Sequence, residues 1–143
     1  MNAFQALYDN QEGLRDKFVS FWDKVSTKLA ANPYVVGYDP INEPYPGNTF
    51  KEPLLNKPGY FDQHKLTPMY SEIYDKYIAS NKDSMMWFEP APYPDEIGIF
   101  DGLIFPAGFK TPPGGEIGSP NHVFNAHTYC CQMNAAECAT GEP

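Results

Sequence analysis

Apolar residues recur at spacings of three and four between about Asn10 and Ala31. Leu14, Phe18, Phe21, Val25 and Leu29, with Trp22 and Ser26 beside them, form one stripe. Arg15, Asp16, Lys17, Asp23, Lys24 and Lys28 fill the opposite side. The pattern predicts an amphipathic helix packed on a sheet and stopped by Asn32-Pro33. The periodicity then changes. Tyr34-Val35-Val36-Gly37-Tyr38-Asp39-Pro40-Ile41 reads as a buried parallel strand that closes on Asn42-Glu43-Pro44. Pro44 cannot extend a ladder and biases Glu43 towards extended backbone. Tyr45 to Pro68 is a long loop with Tyr45, Phe50, Tyr60 and Phe61 along it. A second helix is expected from Pro68 to about Asn81, with Thr67 as its cap. Its buried face comprises Met69, Ile73, Tyr74 and Tyr77. Met85-Met86-Trp87-Phe88-Glu89-Pro90 repeats the earlier theme of an apolar run ending in Glu-Pro. A proline-rich connection without a strong helix follows from Ala91 to Asn121, and Val123 to Cys130 is a third strand.

Helix, strand, loop, helix, strand, long loop, strand is an α/β order. Each strand ends in polar groups: Asn42 and Glu43, then Glu89, then His127 and Tyr129. Parallel strands that converge polar residues on one rim suit the C-terminal face of a (β/α)8 barrel, yet three strands cannot close a barrel, which needs about 200 residues or more. Two architectures remain at this point: an open α/β domain, or an internal piece of a barrel. A carboxylate held on a rigid rim is what glycoside hydrolysis asks of its acid/base. A solvated Glu43 in a polar turn is the plainer alternative.

Composition narrows the partners. The 143 residues are 42% hydrophobic and 15% aromatic, a globular profile. A net charge of -8 argues against nucleic acid and offers no polybasic patch to anionic lipid. No run approaches the ~18 apolar residues of a membrane span. The N-terminal residues lack the pattern of a signal peptide. Cys130, Cys131 and Cys138 crowd the C-terminal end. Adjacent cysteines rarely pair with each other, so Cys138 can bridge to either neighbour and one cysteine is left over. A disulfide-bearing, secreted or lysosome-like compartment is expected ahead of a zinc site. No metal or other cofactor is indicated.

The three strand ends together resemble a known family. Val35-Val36-Gly37-Tyr38-Asp39-Pro40-Ile41-Asn42-Glu43-Pro44-Tyr45-Pro46-Gly47 is similar to the fourth barrel strand of the retaining β-glycosidases of glycoside hydrolase family 5, and more narrowly of the endoglycoceramidases. Met86-Trp87-Phe88-Glu89-Pro90 resembles the fifth strand and Asn125-Ala126-His127-Thr128-Tyr129 the sixth. The resemblance covers about Phe4 to Cys131. It implies a partial (β/α)8 barrel: an internal fragment of one catalytic domain, spanning about strands four to six. It further implies a hydrolase that releases the glycan of a glycosphingolipid from its ceramide. Glu43 would be the general acid/base, and Asn42 would hold the 2-hydroxyl of the sugar at the cleaved bond. His127 and Tyr129 would line the site near the nucleophile. The nucleophile of the family lies in a Ser/Thr-Glu-Phe-Gly type block on the seventh strand. No such block occurs in these residues, and the chain alone is expected to be inactive.

Glu89 could instead be read as that second carboxylate. Its strand directly follows the one bearing Glu43, however, whereas the family's nucleophile comes from across the barrel. Glu89 is therefore expected to contact a substrate hydroxyl or to hold an active-site side chain, with a structural role, accepting backbone N–H groups at the rim, as the alternative. The apolar run Ile97, Ile99, Phe100, Leu103, Ile104, Phe105 and Phe109 offers either a lipid- or membrane-facing patch or a substitute for an outer helix. The competing functions are a related glucosidase acting on glucosylceramide or steryl glucosides, and a non-catalytic carbohydrate- or lipid-binding remnant.

Overall fold

The expected helix from Asn10 to Ala31 is divided. In the computed structural model, which describes residues 2–92 and 107–127, Asn10, Glu12 and Gly13 all have positive φ. Consecutive left-handed residues cannot continue a right-handed helix. The segment is therefore helix α1 (Asn2–Tyr8), a short 3-10 turn (Gln11–Gly13) and helix α2 (Leu14–Leu29). The buried face of α2 is also rotated from the expected stripe. Val19 and Ser26 are buried, and Phe18, Trp22, Val25 and Leu29 pack against the core, but Leu14 is exposed and Phe21 is 54% exposed.

The sheet has three strands, β1 (Gly37–Tyr38), β2 (Met85–Phe88) and β3 (His122–Phe124), all parallel and in sequence order. Gly37 pairs with Met85, and Phe88 pairs with Phe124. Gly37 is required at its position, because a Cβ there would overlap the Met85 carbonyl. β1 is much shorter than the Tyr34 to Ile41 expected: Tyr34 is 92% exposed and Val36 is 62% exposed, so the start of the apolar run stands at an edge. β1 and β3 are both edges among the described residues.

Helix α3 (Thr67–Ser80) lies between β1 and β2 in sequence and packs with α2 on one side of the sheet. Met69, Tyr70, Ile73, Tyr74 and Tyr77 are buried along it, as the periodicity predicts, with Tyr70 added. Tyr38 of β1 meets Tyr77 at 4.7 Å between ring centroids, and Trp22 of α2 stands about equally far from both, at 6.0 and 6.1 Å. This aromatic junction joins helix layer to sheet. Thr67 is not the expected cap. A π-helical turn (Asp62–Leu66) runs straight into α3, so there is no free helix start, and the Thr67 hydroxyl donates back to the Asp62 carbonyl.

Asp62 secures the rim. It is fully buried; its carboxylate accepts the Ala91 N–H and the Gly108 N–H, both at 2.9 Å. The segment after β2 and the returning connection are thereby clamped to the base of α3. Residues 107–121 run as turns, with Phe109 packed edge-on against Phe88. The expectations on the apolar run from Ile97 to Phe105, on Tyr129 and on the three cysteines lie outside the described residues.

Candidate active site

Side chains alternate across a strand, so residues two apart share a face. The face of β2 that carries Met85 and Trp87 continues to Glu89. The matching face of β1 continues to Asp39, and that of β3 continues through Asn125 to His127. Backbone pairing carries on past β3, since the Asn125 N–H donates to the Phe88 carbonyl at 3.0 Å. Register alone therefore brings Asp39, Glu89, Asn125 and His127 together at the C-terminal ends of the strands.

Glu43 reaches this group by an unusual backbone. Its φ is 46°, not the extended value that a following proline favours, so the expected extended geometry is overturned. In this conformation the Glu43 N–H donates to Glu89 Oε2, at 2.6 Å. The turned backbone brings Glu43 Oε1 to 3.0 Å from His127 Nδ1. The other ring nitrogen, Nε2, lies 3.2 Å from Glu89 Oε1. His127 thus bridges two carboxyl groups. A neutral imidazole has one N–H and one bare nitrogen, so either the ring carries both protons or the carboxyl facing the bare nitrogen carries one. The Glu43–His127–Glu89 unit therefore places one imidazole between two carboxyl groups on the rim.

Behind this unit stands a third carboxyl, Asp39. The Asn125 side-chain amide donates to both Asp39 Oδ2 and Glu89 Oε1, each at 2.9 Å. Asp39 Oδ1 is buried and receives no donor among the described residues. Burial is the main cause that raises the Glu89 carboxyl from 4.5 to about 7; the Glu43 N–H opposes it, the Asp39 carboxyl adds to it through a hydrogen bond and its charge, and His127 opposes it. The Tyr70 hydroxyl lies against the Glu89 backbone, 3.3 Å from its carbonyl and 3.4 Å from its nitrogen.

Of the residues singled out from sequence, Glu43, Glu89 and His127 meet in one cluster, and Asn42 is exposed beside Glu43. Glu89 is not on the open rim. It is only 2% exposed and both its oxygens are engaged by protein donors. The same burial argues against it as a nucleophile. Asp39 and Asn125 were not singled out. Their signal was the period of two, which sets Asp39 on the inward face of its strand and Asn125 two residues before His127. Among the described residues no group of three or more His, Cys, Asp and Glu side chains is arranged to hold a metal ion.

A parallel sheet with its helices on one side and an acid–imidazole cluster at the C-terminal strand ends is part of an α/β barrel with a rim site. Solved structures agree on the fold. Endo-glycoceramidase II from Rhodococcus sp. superposes with a TM-score of 0.71 at 21% identity, over 97% of this chain and 30% of that one. Its ganglioside GM3 complex gives 0.68 at 22% identity, over 97% and 28%. In sequence the chain is endoglycoceramidase-like. It is 35% identical over 127 residues to the endoglycoceramidase of Hydra vulgaris and 32% identical over 127 residues to that of Cyanea nozakii, in each case 89% of this chain. It spans 23% and 24% of those proteins, about a quarter of their length. No family model matches.

Proposed function

We propose that these residues form the acid/base side of the active site of a retaining β-glycosidase of family 5 that cleaves the glycan–ceramide bond of glycosphingolipids. The observation that carries the reading is the Glu43 carboxyl, held at 3.0 Å from His127 on the C-terminal rim, in a chain 35% identical to an endoglycoceramidase. Glu43 protonates the glycosidic oxygen so that the ceramide alcohol departs, and then takes a proton from the water that hydrolyses the glycosyl-enzyme. Asn42, exposed beside it, donates to the 2-hydroxyl of the sugar; the family resemblance alone gives Tyr129 a role near the nucleophile. In this reading the nucleophile comes from another part of the barrel, outside these residues, and the 143 residues are a segment of one catalytic domain.

Two features support the segment reading. Both sheet edges carry exposed apolar side chains, Val36 at one and Phe124, 49% exposed, at the other. Such edges call for neighbouring strands. Next to the site, the loop after β1 exposes Tyr45, Phe50 and Leu54, apolar surface suited to the lipid part of a substrate or to peripheral contact with a membrane. No helix among the described residues is long and apolar enough to cross a membrane.

The test is release of oligosaccharide from a ganglioside by the protein that carries this chain, with and without Glu43→Gln. Activity in the parent and its loss on the order of 10³-fold in the variant are expected, at the upper part of what general acid–base catalysis contributes. Retained activity in Glu43→Gln refutes the acid/base role. Turnover of simple glucosides without ganglioside cleavage would point to a glucosidase instead.

A further inference from the structure

We infer that Glu89, backed by Asp39, is a positioning residue for Glu43: its carboxylate holds the Glu43 backbone in the left-handed conformation that turns the Glu43 side chain onto His127. The role of Glu43 as acid/base rests on the function proposed above. The positioning itself rests on geometry alone.

Three observations converge on it. A left-handed glutamate is costly, and one that precedes a proline is more so, so something must hold it. The Glu43 N–H meets Glu89 Oε2 at 2.6 Å, shorter than an ordinary bond from a nitrogen donor. Glu89 also touches the group that Glu43 touches, because His127 stands 3.0 Å from one carboxyl and 3.2 Å from the other. One residue thus fixes both the backbone of Glu43 and the ring that faces its carboxyl.

Asp39 gives the arrangement its pH dependence. The Asp39 and Glu89 carboxyls share a single amide donor, Asn125 Nδ2, and the buried Asp39 Oδ1 receives no donor among the described residues. The Glu89 proton, donated towards Asp39, removes the like-charge repulsion between the two carboxyls. The groups that face Glu89 are Asp39 from β1, the Glu43 backbone beyond it, Asn125 and His127 beyond β3, and Tyr70 from α3. Losing the Glu89 proton leaves a second negative charge in the pair and strengthens the pull on the Glu43 N–H.

The amide proton of Glu43 reports this without any turnover. With glutamate-selective 15N labelling, its resonance is expected downfield and should titrate with a midpoint near 7, following the Glu89 carboxyl. Glu89→Gln should move it upfield and abolish the titration. Asp39→Asn should lower the midpoint. An amide that does not respond to pH between 5 and 8.5 overturns the inference, and does so in the parent protein even if Glu89→Gln does not fold. A midpoint unmoved by Asp39→Asn removes Asp39 from the device. In the ganglioside assay, Glu89→Gln should lower kcat on the order of 10²-fold with KM changed less than threefold, the effect of a misplaced catalytic group. A change in KM alone would mean that Glu89 contacts substrate, which also overturns it. If the parent releases no glycan, the proposed function fails, and the amide titration still decides the positioning.

Discussion

Removing the Asp62 carboxylate should unfasten the rim from the helix layer. Asp62 is fully buried and accepts two backbone N–H groups, those of Ala91 and Gly108, each at 2.9 Å. A hydrogen bond to a charged group contributes about 1.5–3 kcal/mol net, and truncating the acceptor leaves its donors buried and unpaired. Two such bonds give an expected loss of about 3–6 kcal/mol for Asp62→Ala, a large share of the roughly 5–15 kcal/mol that stabilises a domain. Asp62→Asn keeps one acceptor oxygen and turns an NH2 group towards the other N–H, so half that loss is expected, about 1.5–3 kcal/mol. Urea denaturation followed by tryptophan fluorescence reads both values, since Trp22 packs against Tyr77 of α3 at 6.1 Å between ring centroids. Amide exchange adds a local check: Ala91 and Gly108 should lose protection in Asp62→Asn before the rest of the sheet does. Ala91 lies two residues beyond Glu89, so the same variant should also loosen the site. A cost below about 1 kcal/mol for Asp62→Ala would show that solvent or a neighbouring group satisfies both donors, and the clamp argument would be wrong.

Three further outcomes follow from the same geometry. Glu89 retains its proton in the folded state between 4.5 and about 7, where the unfolded chain has lost it, so stability should fall as pH rises through that window, and Glu89→Gln should flatten the dependence; a denaturation midpoint that rises from pH 5 to 7.5 and is unaffected by the variant would contradict this. Gly37→Ala places a methyl group against the Met85 carbonyl and should cost about 1–3 kcal/mol by parting β1 from β2, measured by denaturant midpoint; a neutral result would mean that the edge strand shifts freely. Glu43→Gly should be more stable than Glu43→Ala by about 1–2 kcal/mol, because only glycine adopts the φ of 46° without penalty; equal stabilities would show that the backbone there relaxes once the carboxyl is gone.

Much of the layer order was legible because it depends on local period. The spacing of Met69, Ile73, Tyr74 and Tyr77 fixes one face of α3, and every one of them is buried. The apolar run before Glu89 predicts β2, which is found at Met85–Phe88. What failed depended on distant partners. Phe21 belongs to the periodic stripe but is left outside, because α2 meets the core through Val19, Trp22 and Ser26. Thr67 has the chemistry of a cap but follows a helical turn, so it has no free helix start to serve. Asp62 carried no signal at all: its donors lie 29 and 46 residues ahead of it. In the site, Glu43, Glu89 and His127 were readable as polar strand ends. Asp39 and Asn125 were not, since each looks like an ordinary polar residue until the register places both against Glu89.

The left-handed backbone of Glu43 is the feature that sequence reasoning had backwards, and the reason is instructive. A residue before proline favours extended geometry when nothing else acts on it. Here a buried carboxylate from the next strand competes for the same N–H. A charge-assisted hydrogen bond is worth about 1.5–3 kcal/mol. A left-handed non-glycine residue costs about 1–2 kcal/mol. The two are close enough that the bond can prevail only while Glu89 itself is held in place. It is held by Asn125 on one side and by the Tyr70 hydroxyl on its backbone, and it is sealed from solvent. The strained residue and its support therefore stand or fall together. A change anywhere in the Asp39–Asn125–Glu89 group should be felt first at Glu43, as a change of backbone conformation, and only afterwards in the stability of the sheet.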